Sequence, residues 1–98
     1  MSFSPEQQAA LNELSQKTLE QIQTETAIKW AYRAWAAYTF ANGHMINGRR
    51  EMMSAATHNA AEYEHEAIEH AALCGDDSVL AQVRTIVASA KNAFLTSS

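Results

Sequence analysis

The chain has one proline, at position 5, and three glycines, at 43, 48 and 75. Between Pro5 and the Asn42-Gly43 pair nothing obliges the backbone to leave a helix. That unbroken stretch predicts a first helix of about 37 residues, roughly 55 Å long at 1.5 Å per residue. The remaining breakers divide the rest in two, so the expected helices span about 5–41, 47–74 and 78–95. Ser4 reads as the N-cap of the first, with Pro5 in its first turn and Glu6 at the positive end of its dipole. Gly75 reads as the C′ residue that closes the second helix, and Asp77 or Ser78 as the cap of the third. The fold class expected is all-α: a long antiparallel helical hairpin plus a shorter C-terminal helix, one domain over 1–98. Ninety-eight residues bury only a modest core, so the bundle is expected to be completed by oligomerisation.

Charge and composition exclude several classes. A formal charge of −4 with no basic patch argues against a nucleic-acid partner. The most apolar run, Ala27–Ala41 (AIKWAYRAWAAYTFA), is shorter than the roughly 20 residues a bilayer requires and contains Lys29 and Arg33, so no membrane span is expected. The N-terminus is polar, without the basic and then apolar segments of a secretory signal. A single cysteine, Cys74, leaves no internal disulfide and suits a reducing cytoplasm.

Helix faces carry more information. In the third helix Val79, Val83, Ile86, Val87, Ala90 and Phe94 form one narrow apolar stripe, a packing element. In the first, Leu11, Leu14, Ile22, Ile28, Tyr32 and Trp35 share a face, with Glu25 near its middle. A carboxylate in an apolar stripe is costly to bury unless it is paired, protonated or bound to metal. The bland alternatives are a pairing of Glu25 with Lys29 one turn on, or an exposed bend. Beyond Ala27 the first helix is apolar nearly all round, with Trp30 and Tyr38 pointing away from Tyr32 and Trp35. Three helices do not easily cover both sides, which predicts burial in a homo-oligomer, at least a dimer.

The second helix holds "HNAAEYEHEAIEH", residues 58–70, with three of the four histidines and four of the eleven acidic residues. Its apolar side is Met52, Met53, Ala56, Ala60, Tyr63, Ala67, Ala71 and Cys74. Roughly opposite, Glu51, His58, Glu62, His65 and Glu69 share an arc of about 60°, with Glu66 and His70 at its boundary. A solvated face normally interleaves charge signs. Here Glu62 and Glu66 repeat one sign at i, i+4, and no lysine or arginine falls between Glu51 and Gln82. Glu62-x-x-His65 sets a carboxylate and an imidazole one turn apart, a spacing that di-iron helical bundles use. Such oxygen and nitrogen donors suit iron.

At these residues the sequence resembles ferritin-like proteins, most of all the short encapsulated-ferritin type. That family places a glutamate seven residues before a tyrosine on its first helix and Glu-x-x-His on its second. Glu25-TAIKWA-Tyr32 and Glu62-YE-His65 match. The resemblance implies a half four-helix bundle that dimerises around a dinuclear iron site and oxidises ferrous iron. Glu25 would bridge the metals, Glu62 and His65 would complete each half-site, and Tyr32 would neighbour the ligands. His58, Glu66 and Glu69 are further potential ligands, and another divalent metal would suit the same donors. Because Glu62 and His65 oppose the alanine side of their helix, that side would have to pack elsewhere. The sequence ends NAFLTSS directly after the third helix with no addressing extension in view, which argues against an encapsulin shell as partner.

Other chemistry lacks its residues. Cys74 has no dyad partner in sequence, His44 falls in the expected "NGHMING" connection, and neither a phosphate-binding glycine loop nor a cysteine-pair zinc motif is present. Two competing readings remain: a non-enzymatic helical oligomer with a solvated acidic face, and a regulatory subunit docking through the aromatic part of the first helix.

Overall fold

A computed structural model describes residues 3–97, with the side chains of 16–18 and 97 left out. Three helices follow in order: α1 (Pro5–Ile46), α2 (Arg50–Leu73) and α3 (Asp77–Ser97), and no strand occurs among the described residues. The start of α1 is the one its sequence predicts. The backbone N–H of Gln7 donates to Ser4 Oγ, and the N–H of Ser4 donates to Gln7 Oε1, a reciprocal capping box ahead of Pro5.

The end of α1 is not. Asn42-Gly43 does not break the helix, which runs on to Ile46, and His44 is therefore helical rather than part of a loop. A glycine in a helix costs at most about 1 kcal/mol, which packing on both sides of it outweighs. The chain turns at Asn47-Gly48 instead, where Gly48 takes a φ of 71° and Arg49 N–H donates to His44 O at 2.8 Å. Gly75, at φ 68°, closes α2 as expected. The cap of α3 is Asp76, one residue before the earlier of the two expected candidates. Its Oδ1 accepts from the Ser78 N–H at 2.9 Å, and hydrogen bonding from the Ser78 side chain, then from that backbone N–H, holds the carboxyl below its ordinary value.

Alanine decides the packing. The buried face of α1 is Ala27, Ala31, Ala34, Ala37, Tyr38 and Ala41, and that of α2 is Ala60, Ala67, Ala71 and Cys74. Two small-residue stripes let the antiparallel backbones approach closely, and most of the contact between helices is of α1 with α2. On α3 Val79, Val83, Val87, Ala90 and Phe94 are buried and Ile86 half-buried, the predicted stripe. The sequence expectation for α1 is corrected. Leu11, Leu14, Ile22, Tyr32 and Trp35 are 41–63% exposed, so the bulkier stripe faces outward. Within the chain Tyr38 is buried and Trp30 half-buried. Trp30 meets Tyr63 at 5.6 Å with the rings tilted by 37°, and Tyr38 meets Phe94 at 6.4 Å.

One polar cluster joins all three helices. Tyr38 Oη of α1 donates to Glu64 Oε1 of α2 at 3.1 Å, and Lys91 Nζ of α3 pairs with the same carboxylate at 3.1 Å. At the other end of α2, His70 Nδ1 lies 2.8 Å from Gln23 Oε1, and Cys74 Sγ lies 3.5 Å from Thr24 Oγ1. Every described side chain from 3 to 22 is exposed, so the first eighteen residues of α1, 5–22, form an arm projecting past the other helices.

The arm gives the molecule an extended shape of 67 × 23 × 13 Å and a radius of gyration of 18.6 Å. A compact domain of this length has a radius near 13 Å. Its accessible surface, 6824 Å² for 10.8 kDa, exceeds the roughly 5,500 Å² of a compact monomer of equal mass.

Candidate functional site

The polar arc of α2 lies on the outside of the hairpin because the alanine stripe on its opposite side is held by α1. His58, Glu62, His65 and Glu69 are all exposed. They associate along the helix at i, i+4: His58 Nε2 with Glu62 Oε1 at 3.1 Å, and His65 Nε2 with Glu69 Oε1 at 2.9 Å. A third, longer approach joins Glu66 Oε2 to His70 Nε2 at 3.8 Å. Each is an ion pair only while its imidazole is protonated. As bonds between solvated side chains they hold the donors in place weakly.

Four of these donors border a single open groove of about 780 Å³, whose wall consists of His58, Glu62, His65, Glu66 and Ala61 together with Trp30 and Tyr63. The tilted Trp30–Tyr63 pair sets this wall, and the Arg33 guanidinium lies 4.6 Å from the Trp30 ring centroid. Sequence reading found the donors but missed this aromatic wall. Its only signal was that Trp30 and Tyr63 each border the small-residue stripe of their own helix.

Glu25 and Tyr32 lie on the other helix of the hairpin, on the outward face of α1, and both are exposed. Glu25 is therefore not a buried carboxylate. Neither does it pair with Lys29: among the described residues its side chain makes no hydrogen bond or ion pair. Also among the described residues, no three histidine, cysteine, aspartate or glutamate side chains of one chain come together as a group able to hold a metal ion. Glu62 and His65 thus share a groove, and Glu25 is not brought to them within the chain.

A second, more apolar groove of about 570 Å³ runs along the hairpin towards its turn, between Phe40, His44 and Met52 with Arg33, Asn59 and Tyr63 at its side. Nearby, Asn42 Oδ1 and His44 Nδ1 are buried without a hydrogen-bond partner. No described helix is long and apolar enough to cross a membrane. Compared with protein-family models, with curated proteins and with solved structures, the chain finds no match.

Proposed function

We propose that this chain is a ferritin-like metal-binding protein that works as at least a dimer and takes ferrous iron as its substrate at a dinuclear site between subunits. Glu62 and His65 supply donors from α2, and Glu25 supplies a carboxylate from α1 of another subunit. The observation that carries this reading is the groove along which His58, Glu62, His65 and Glu66 are set out from one helix face. Carboxylate oxygen and imidazole nitrogen are a donor set suited to iron, and equally acceptable to other divalent metals. The donors point outward and one chain does not close the set, so a second chain is needed to complete it. The surplus of exposed surface over that of a compact monomer supports such an association. In this reading Tyr32, two turns beyond Glu25 on the same face, neighbours the carboxylate and does not bind metal. The buried free thiol of Cys74 suits a reducing compartment, the cytoplasm.

Anaerobic titration with ferrous iron tests the reading. Saturation is expected near one iron per chain, with oxidation to the ferric ion on admission of oxygen. Glu62→Ala and Glu25→Ala are each expected to abolish tight binding. Unchanged binding in the double variant Glu25→Ala/Glu62→Ala would overturn the assignment. A second reading is favoured by the His58–Glu62 and His65–Glu69 pairs, in which both α2 donors already have local partners. In that reading the protein is a non-enzymatic helical scaffold with a solvated acidic face, and the same titration then shows no bound metal.

A further inference from the structure

We propose that α1 pairs with α1 of a second copy as an antiparallel two-helix seam whose two-fold axis passes beside Gln23. The inference rests only on the self-association of the reading above: the seam sets Glu25 beside the partner's Gln21, not at Glu62 and His65, and does not use the metal.

The seam is written in the spacing of α1. Leu11, Leu14, Gln21, Glu25, Ile28, Tyr32 and Trp35 follow one another at intervals of 3, 7, 4, 3, 4 and 3 residues. That is the 3.5-residue repeat by which two helices stay in register on each other. The chain's own α2 and α3 do not use it, because they occupy the opposite, alanine face. Six of these seven residues are exposed, and Ile28 is half-buried.

Length fixes the partner. The described side chains of the arm, 5–22, are all exposed, and the stretch 24–41, equally long, carries the exposed outward face of the hairpin. An axis at Gln23 lays the arm of each copy over 24–41 of the other. Leu11 then stands opposite the partner's Trp35, and Leu14 opposite the partner's Tyr32. At the centre the Glu25 carboxylate meets the amide of the partner's Gln21, a donor for the one charge in the seam. Other partners lack this self-matching: the same two half-helices supply both sides of every layer. The surplus surface is also of the right size. A compact monomer would expose about 1,300 Å² less, and a standard stable interface removes about 800 Å² from each partner.

Disulfide trapping in a Cys74→Ser background with chelator present tests direction and register without metal. A co-refolded mixture of Leu14→Cys and Tyr32→Cys chains is expected to form the mixed disulfide. Neither variant alone is expected to cross-link, since in the seam like residues lie 18 positions, roughly 27 Å, apart along the axis. Light scattering on the unaltered chain is expected to give a dimer. Self-linked Leu14→Cys, a monomeric unaltered chain, or an intact dimer in which no mixture cross-links would each overturn the seam. Correct trapping in a chain that binds no iron leaves the seam standing and removes the metal reading. Iron binding with self-linked Leu14→Cys does the reverse.

Discussion

At the scale of the residue, Tyr38 shows how one side chain serves both core and polar cluster. Its ring is buried, while its hydroxyl donates to Glu64, which Lys91 also holds. Burial, and then the negative charge and hydrogen bond of Glu64, push the phenol up from 10.0 to about 12. The folded state therefore keeps the proton that an unfolded tyrosine loses. This contribution to stability is fully present below pH 10 and disappears as pH rises from 10 towards 12. Tyr38→Phe keeps the ring packing and leaves Glu64 its lysine, so it is expected to cost about 1 kcal/mol at neutral pH. Urea denaturation of the two proteins between pH 8 and 12 checks this: the gap between them should close at the alkaline end. A constant gap would show that the hydroxyl is not the titrating group. Sequence placed Tyr38 on an apolar side of α1 but could not pair it, because its partners lie 26 and 53 positions away.

At the scale of the element, the three glycines separate by backbone rather than by composition. Gly48 and Gly75 sit at φ 71° and 68° and make the two turns, whereas Gly43 is helical with nothing within 4 Å of where a Cβ would stand. Substitution by alanine is therefore expected to act in opposite directions. Gly75→Ala should destabilise by about 1–2 kcal/mol, the cost of a side chain in the left-handed region. Gly43→Ala should stabilise by about 0.5–1 kcal/mol. Thermal melts of the two variants decide it, and equal shifts of one sign would contradict the assignment of turn and helix. The existence of three helices was legible from such punctuation, and so were the Ser4 cap and the Gly75 stop. The end of α1 was misplaced by four or five residues, because Asn-Gly is a turn signal only where packing does not hold the helix through it.

At the scale of the molecule, the arm is a stretch of helix whose described side chains are all exposed. An isolated helix of such length is marginal in water. Dissociation of the proposed dimer is therefore expected to melt it, taking roughly a fifth of the helical signal with it. Circular dichroism at 222 nm on dilution, with light scattering at the same concentrations, measures this. A helicity that stays constant in the monomer would show that the arm holds itself.

The sequence by itself determined what local physics controls. Breakers and caps set three helices, and the 3.6-residue period put Glu62 and His65 on one face and Glu25 with Tyr32 on another. Only the tertiary structure decided which faces turn inward. By side-chain size the stripe of Leu11, Ile28, Tyr32 and Trp35 is the bulkier face of α1. The alanines won because a stripe of small side chains on α1 meets another on α2, and close approach of two backbones gains contact along the whole hairpin. That choice is a property of the pair of helices and is invisible in either alone. It turns the bulky stripe and Glu25 outward, where the remaining contacts of this protein are to be made.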